Sequence, residues 1–391
     1  LGTASASAKV YVYAKPYILF DQAHHQHFTV DKMASFVDLL KTYGELYINN
    51  NTLTKDIIGN VSLIILPIPG VDEHDNGDPS KWDVPMPLTS DEVDALVSYI
   101  ASGGKLVAIA TWYRYILDGT LHGLNNVTKV FGICFQDAEI VDDVDNDGKA
   151  WYPILRNLEP HPIASDVEFV IAASSTYISI YGDAKAVVRG NPTSYGVTNE
   201  SNTYDYHSTG VNGTNLIAVA AVETDTGGRI VAFGGGSMLG TYFDNNSMLI
   251  ENAIKWILGD TEPPEVSIEY TVGDGKATVT VKVHDNLAID IVNISKNGLV
   301  QKQESGLSKH NYTYTFTIEG AGTYKVKVLA KDYAGLATTE EVTIEIPAVT
   351  TTETGTPTGE GIPFWVFGVV AGVAVVVVVV VLLILRKKKV K

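Results

Sequence analysis

Val61-Ser62-Leu63-Ile64-Ile65-Leu66-Pro67 decides the reading of the first two thirds of the chain. It is a continuous apolar run closed by a proline, the pattern of a strand buried on both faces, and such strands belong to parallel sheets covered by helices. The flanking segments agree. Val10 to Phe20 and Glu45 to Ile48 read as strands, and residues 33, 36, 37, 39 and 40 place an apolar face on a helix from Asp31 to Tyr43. Downstream, Thr89 or Ser90 caps a helix running to Ala101, with Asp91 and Glu92 in its first turn, and Gly103-Gly104 ends it. Lys105 to Ala110, Leu216 to Val222 and Arg229 to Phe233 follow as strands, and Asn246 to Leu258 as a closing helix. Alternation of this kind predicts an α/β domain over 9–260 with a doubly wound, mostly parallel sheet. The stretch from about 132 to 210 is less regular and is expected to insert extra strands and loops.

Pro263-Pro264 breaks the pattern. From there to residue 347 only alternation remains, in Val266 to Tyr270, Ala277 to Val283, Ile289 to Ser295, Tyr312 to Ile318, Tyr324 to Ala330 and Val342 to Ile346. Short strands at this spacing predict an all-β, immunoglobulin-like sandwich over 264–347. Residues 348–361 form a Thr/Pro-rich stalk with no means of building a core. Ile362 to Leu385 is uncharged and almost wholly apolar, long enough for one transmembrane helix. Phe364, Trp365 and Phe367 mark its outer interface. Arg386, Lys387, Lys388, Lys389 and Lys391 form a basic tail at 386–391 that the positive-inside rule places in the cytoplasm. At the other end, 1–8 contains Ala6-Ser7-Ala8 and reads as a signal-peptide remnant or the mature N-terminus. The expected topology is single-pass in the cell membrane, ectodomain outside.

Composition narrows the partners. The formal charge over 391 residues is -17 despite the basic tail, which argues against nucleic acid. The single cysteine, Cys134, excludes an internal disulfide and a cysteine zinc cluster. Asn50, Asn60, Asn126, Asn199, Asn212, Asn245, Asn293 and Asn311 all stand in N-x-S/T sequons, as expected for a glycosylated ectodomain.

Ile18-Leu19-Phe20-Asp21-Gln22-Ala23-His24, Val61 to Pro67, Leu158-Glu159-Pro160-His161-Pro162-Ile163, and Arg229 to Gly236 leading into Asn245 to Leu258 give the first domain a resemblance. It resembles the non-catalytic branch of the class I glutamine amidotransferase-like superfamily, which includes trehalose-utilisation-type proteins and intraflagellar-transport-type domains. Val283-His284-Asp285-Asn286 and Ala330-Lys331-Asp332-Tyr333-Ala334-Gly335 make the second domain similar to bacterial and archaeal immunoglobulin-like surface modules. The stalk, apolar segment and tail look like those of archaeal surface glycoproteins. The amidotransferase relatives carry a nucleophilic cysteine on a G-x-C-x-G turn. Here Lys105 to Ala110 leads into Thr111-Trp112-Tyr113-Arg114 instead, so the resemblance implies the fold without that activity.

Two constellations invite chemistry. Asp21, His24, His25 and His27 follow one strand, Trp112, Tyr113 and Arg114 another, and Ser237 a third. Ligands in doubly wound sheets sit at the carboxyl ends of strands, so these groups are the candidate ligand-binding crevice. Capping of the sheet by the histidines is the plainer alternative. Asp143-Val144-Asp145-Asn146-Asp147-Gly148 matches the first half of an EF-hand-type loop, which makes Asp143, Asp145 and Asp147 candidate calcium ligands. Ile154 stands where that loop expects its acidic twelfth residue, so a solvated acidic turn is the alternative. The expected function is a non-enzymatic surface glycoprotein that binds a carbohydrate or a surface protein partner. A carbohydrate-active enzyme using the histidine crevice and a structural envelope component are the alternatives.

Overall fold

A computed structural model of the chain describes residues 16–69, 86–111, 120–198, 207–260 and 262–349. It opens with β1 (Tyr17–Asp21), α1 (Ala34–Tyr43), β2 (Glu45–Asn49), α2 (Lys55–Ile58), β3 (Leu63–Pro67), α3 (Ser90–Ala101), β4 (Lys105–Ile109) and α4 (Thr120–Thr128). The four strands pair in parallel in the order β2-β1-β3-β4. Every residue of β3 is buried, as its apolar run requires. Successive side chains serve opposite faces. Ile18, Phe20, Leu63 and Ile65 join one core with Phe36, Val37 and Leu40 of α1. Leu19, Ile64 and Leu66 join another with Leu96 and Ile100 of α3 and Leu124 of α4.

The middle of the chain supplies β5 (Ile133–Val141), β6 (Ile154–Leu155), β7 (Asn157–Leu158), β8 (Val170–Ile171), β9 (Thr176–Ile180), β10 (Lys185–Arg189), β11 (Tyr195–Thr198) and β12 (His207–Asn212). β13 (Ile217–Glu223), β14 (Arg229–Phe233) and α5 (Phe243–Leu258) follow. The large sheet has eight strands in the order β2-β1-β3-β4-β14-β13-β10-β7. A second, antiparallel sheet runs β12-β11-β5-β9, and β6 pairs with β8.

This arrangement corrects the expected doubly wound, mostly parallel sheet. Strands make up 46% of the structure and helices 20%, so the chain is mostly β. β14 pairs in parallel with β4, but β13, β10 and β7 all join antiparallel. The reason is local. Between β13 and β14 the chain has only Thr224 to Gly228, tied by Thr224 N–H to Gly228 O at 2.8 Å. Antiparallel strands accept so short a connection, whereas a parallel pair needs a crossover of a dozen or more residues.

The last strands are β15 (Glu265–Gly273), β16 (Lys276–Lys296), β17 (Leu299–Glu304), β18 (Lys309–Glu319), β19 (Gly322–Asp332) and β20 (Ala337–Ile346). All of their pairings are antiparallel. β16 runs for 21 residues and serves two sets of neighbours. Its first half pairs with β15 and β18, and its second half with β17 and β19. The register breaks between His284 and Ile289. There Asp285 Oδ1 accepts from the backbone N–H of Leu287 at 2.9 Å and Ala288 at 2.6 Å. Alternating residues of these strands build one core, from Val279, Val281, Val292, Val328 and Ile344 among others. An immunoglobulin-like description of this all-β part is compatible with that architecture.

The α/β part and the all-β part belong to the first of two units, which ends at Ala348. Within the first unit, Leu287 and Ala288 of the β16 bend bury into the core that also holds Ile254 and Ile257 of α5. The expected membrane-crossing segment 362–385, the tail 386–391 and the residues 1–8 lie outside the described residues, as does the stalk beyond Val349. Among the described residues no helix is long and apolar enough to cross a membrane, so the expected transmembrane helix is not part of the described fold.

Candidate functional site

Asp21 closes β1 with its side chain fully buried. Its carboxylate accepts from His24 Nδ1 at 2.7 Å, from Asn49 Nδ2 at 2.8 Å and from Gln26 Nε2. The chain turns sharply here, with His25 in the left-handed region at φ 52°. On its far side the ring of His24 reaches Glu92 Oε1, 2.9 Å from Nε2. Glu92 is the third residue of α3 and completes a capping box: Thr89 N–H and Oγ1 donate to its Oε2 at 2.9 and 2.8 Å. Leu53 N–H donates to Oε1 at 2.9 Å. One imidazole thus ties β1 to α3, and Glu92 ties both to the loop after β2.

The electrostatics follow from this geometry. His24, Asp21 and Glu92 are only 4%, 0% and 2% exposed. Burial works to lower the His24 pKa, but hydrogen bonding and charge from Asp21, then from Glu92, outweigh it and raise it above the ordinary 6.5. Burial pushes Glu92 upward, and the backbone N–H groups of Thr89 and Leu53, the Thr89 hydroxyl and the His24 charge bring it below 4.5. A carboxylate oxygen lies at hydrogen-bonding distance from each ring nitrogen and the pKa is raised, which favours the imidazolium form, in which both nitrogens donate. In that form the ring has no lone pair to ligate a metal or to take a proton from a substrate.

A groove of about 500 Å³ opens beside this network. Its lining comes from Ala23 and His24 after β1, from Asn50, Asn51, Thr52 and Thr54 after β2, and from Met86, Thr89 and Glu92 at the start of α3. Asn and Thr side chains supply amides and hydroxyls to the lining, His24 and Glu92 supply charge, and Ile57, Met86 and Pro87 supply apolar surface. The groove sits past the carboxyl ends of β1 and β2, where the sheet order places crevices.

The other expected ligand-binding residues are distributed differently. His25 is exposed. His27 is half-buried with its ring edge-on to Phe28, centroids 4.7 Å apart. Ser237 is half-buried in a short 3-10 turn, Gly236–Met238. The neighbouring Gly236 packs so tightly on Phe28 that a Cβ there would lie 2.3 Å from the ring. Trp112, Tyr113 and Arg114 lie outside the described residues. Glu92, Asn49, Asn51 and Thr54 were not singled out as site residues from sequence, and Asn50 was singled out only as a sequon. The signal for Glu92 was present in Thr89-x-x-Glu92, which reports a helix start and says nothing of a histidine 68 residues earlier.

In the acidic loop Gly148 makes the expected turn at φ 79°. Its carboxylates face separate partners. Asp143 accepts from the Tyr195 hydroxyl at 2.7 Å, Asp145 pairs with Arg156 Nε at 2.8 Å, and Asp147 is hydrogen-bonded to Tyr242. The preceding Asp142 is fully buried and anchors the loop, accepting from Val144 N–H, Thr193 Oγ1 and Ser194 Oγ at 2.8–2.9 Å. Of the sequon asparagines, Asn50, Asn60, Asn126, Asn212, Asn245 and Asn311 are exposed, Asn293 is half-buried, and Asn199 lies outside the described residues.

No protein-family model and no curated protein matches the chain. Among solved structures, the N-terminal domain of mmIFT52 aligns at TM-score 0.47 and 16% identity, over 63% of this chain and 99% of that one. The PKD1 domain of Vibrio anguillarum Epp aligns at 0.18 and 15%, over 22% and 98%. Exo-beta-1,4-mannosidase Op5Man5 from Opitutaceae bacterium strain TAV5 aligns at 0.32 and 10%, over 63% and 37%. Likenesses this distant carry no argument about function.

Proposed function

We infer that the chain is a cell-surface binding protein, held at a membrane through segment 362–385, whose N-terminal part takes a carbohydrate in the groove beside His24 and Glu92. The observation that carries this reading is the pairing of an amide- and hydroxyl-lined groove with a histidine whose two ring nitrogens are both engaged. Asn and Thr side chains exchange hydrogen bonds with sugar hydroxyls, and Ile57 and Met86 offer apolar surface to a ring face. The locked imidazolium makes a rigid wall and leaves no base, which favours binding over hydrolysis at this histidine. The exposed sequons and the acidic surface suit an extracellular setting.

The test is a glycan array probed with the purified chain, followed by calorimetry with a bound oligosaccharide. Asn51 is exposed and lines the groove, and Asn51→Ala keeps the Asn50-x-Thr52 sequon. This variant should bind about tenfold more weakly, the worth of one lost hydrogen bond. Failure of every glycan to bind, or equal affinity in Asn51→Ala, refutes the reading.

A further inference from the structure

Where α5 ends, the chain passes Asp260 and enters the all-β part, and there three aspartates meet. Asp260, Asp285 in the β16 bend and Asp332 at the end of β19 each bring one carboxylate oxygen within 4.8 Å of the others. Each spends its other oxygen locally: Asp260 Oδ1 accepts from Glu262 N–H at 3.0 Å, Asp285 Oδ1 from Leu287 and Ala288, and Asp332 Oδ1 from Leu336 N–H at 2.8 Å. The three Oδ2 atoms are buried and have no hydrogen-bond partner. Asp285 and Asp332 are only 2% and 1% exposed, so bulk solvent does not reach them. Among the described residues no lysine or arginine is seen to pair with any of the three; His310, whose Nδ1 is hydrogen-bonded to Asp166, acts on Asp285 through its charge alone. The carboxamide of Asn286, next to Asp285, offers no relief either: its Oδ1 is a further buried oxygen without a partner.

Leaving buried polar oxygens unsatisfied is costly, and gathering three carboxylates with no cation bonded to them is more so. Burial, and then the charges of the neighbouring aspartates, hold Asp332 up at about 6. An all-oxygen, anionic, nitrogen-free donor set is what a hard divalent cation selects, and sulfur or imidazole donors are not needed. We propose that Asp260, Asp285 and Asp332 form a calcium site that clasps the α/β part to the all-β part. Asp260 comes from the end of one part and the other two from strands of the other, so an ion bound by all three links them. The site is separate from the Asp143–Asp147 loop, whose carboxylates have protein partners.

The test uses the full chain, purified in mild detergent, melted in calcium chloride and in chelator. Calcium should raise the melting temperature of the parent by several degrees through mass action on the folded state. Asp332→Asn and Asp260→Asn should lose that gain, while Asp145→Asn keeps it. In chelator the two site variants should melt at or above the parent, because each removes a repelling charge; this also shows that they fold. Calorimetric titration should find one calcium fewer in the site variants. Equal melting of the parent with calcium and with chelator overturns the proposal. So does a gain that survives Asp332→Asn and Asp260→Asn but is lost in Asp145→Asn, which would put the ion in the acidic loop.

Discussion

His24 shows how far one side chain reaches. Its two hydrogen bonds neutralise carboxylates on β1 and α3 that are otherwise buried without a counter-charge. Removing one member of such a network strands the rest, at a cost of about 3 kcal/mol for His24→Gln. The pH dependence has two limbs. His24 has a raised pKa, so its contribution is complete below 6.5 and is lost as pH climbs through the raised value. Glu92 has a lowered pKa, so its contribution is complete above 4.5 and is lost as pH falls through the lowered value. The melting gap between parent and His24→Gln should therefore be widest between these ordinary values and narrow toward alkaline pH. A gap that widens with rising pH would show that the imidazolium is not what the network needs. That His24 follows a strand end was legible in the sequence. Its engagement on both nitrogens was not, because Glu92 reaches it only through tertiary packing.

At the scale of elements, the start of α3 joins local sequence to the groove. Thr89 caps the helix, hydrogen-bonds Glu92 and lines the groove at once. Thr89→Val keeps the shape and removes the hydroxyl, which should destabilise the fold by about 1 kcal/mol. The same change should lower the apparent pKa of His24 by loosening Glu92, observable by following the His24 ring resonances in NMR titration. Unchanged stability and titration would mean that the capping box is dispensable. The parallel strands and their helices were readable because an apolar run and a 3.6-residue face report burial directly. The antiparallel half was not read, although Thr224-Asp225-Thr226-Gly227-Gly228 is a turn signal in plain view. Strand direction depends on the length and geometry of a connection, and hydrophobic pattern carries neither.

For the whole molecule the decisive feature is the seam between the α/β part and the all-β part. Leu287 and Ala288 enter the core under α5, Tyr333 packs against it, and His310 Nδ1 meets Asp166 Oδ2 at 2.8 Å. Calorimetry should therefore show one cooperative transition covering both parts. Leu287→Ser, which puts a hydroxyl into that core, should lower the melting temperature and split the transition in two; two transitions in the parent would mean the seam is weak. The amino-acid sequence alone determined the apolar runs, the helix faces, the all-β pattern after Pro263-Pro264, the acidic balance and the turn at Gly148, since each depends on neighbours a few residues away. Tertiary structure alone decided the strand directions, the partners of His24, the dispersal of Asp143, Asp145 and Asp147, and the meeting of Asp260, Asp285 and Asp332. These are contacts between residues tens of positions apart, and only the packed chain brings them within reach of a hydrogen bond or a shared ion.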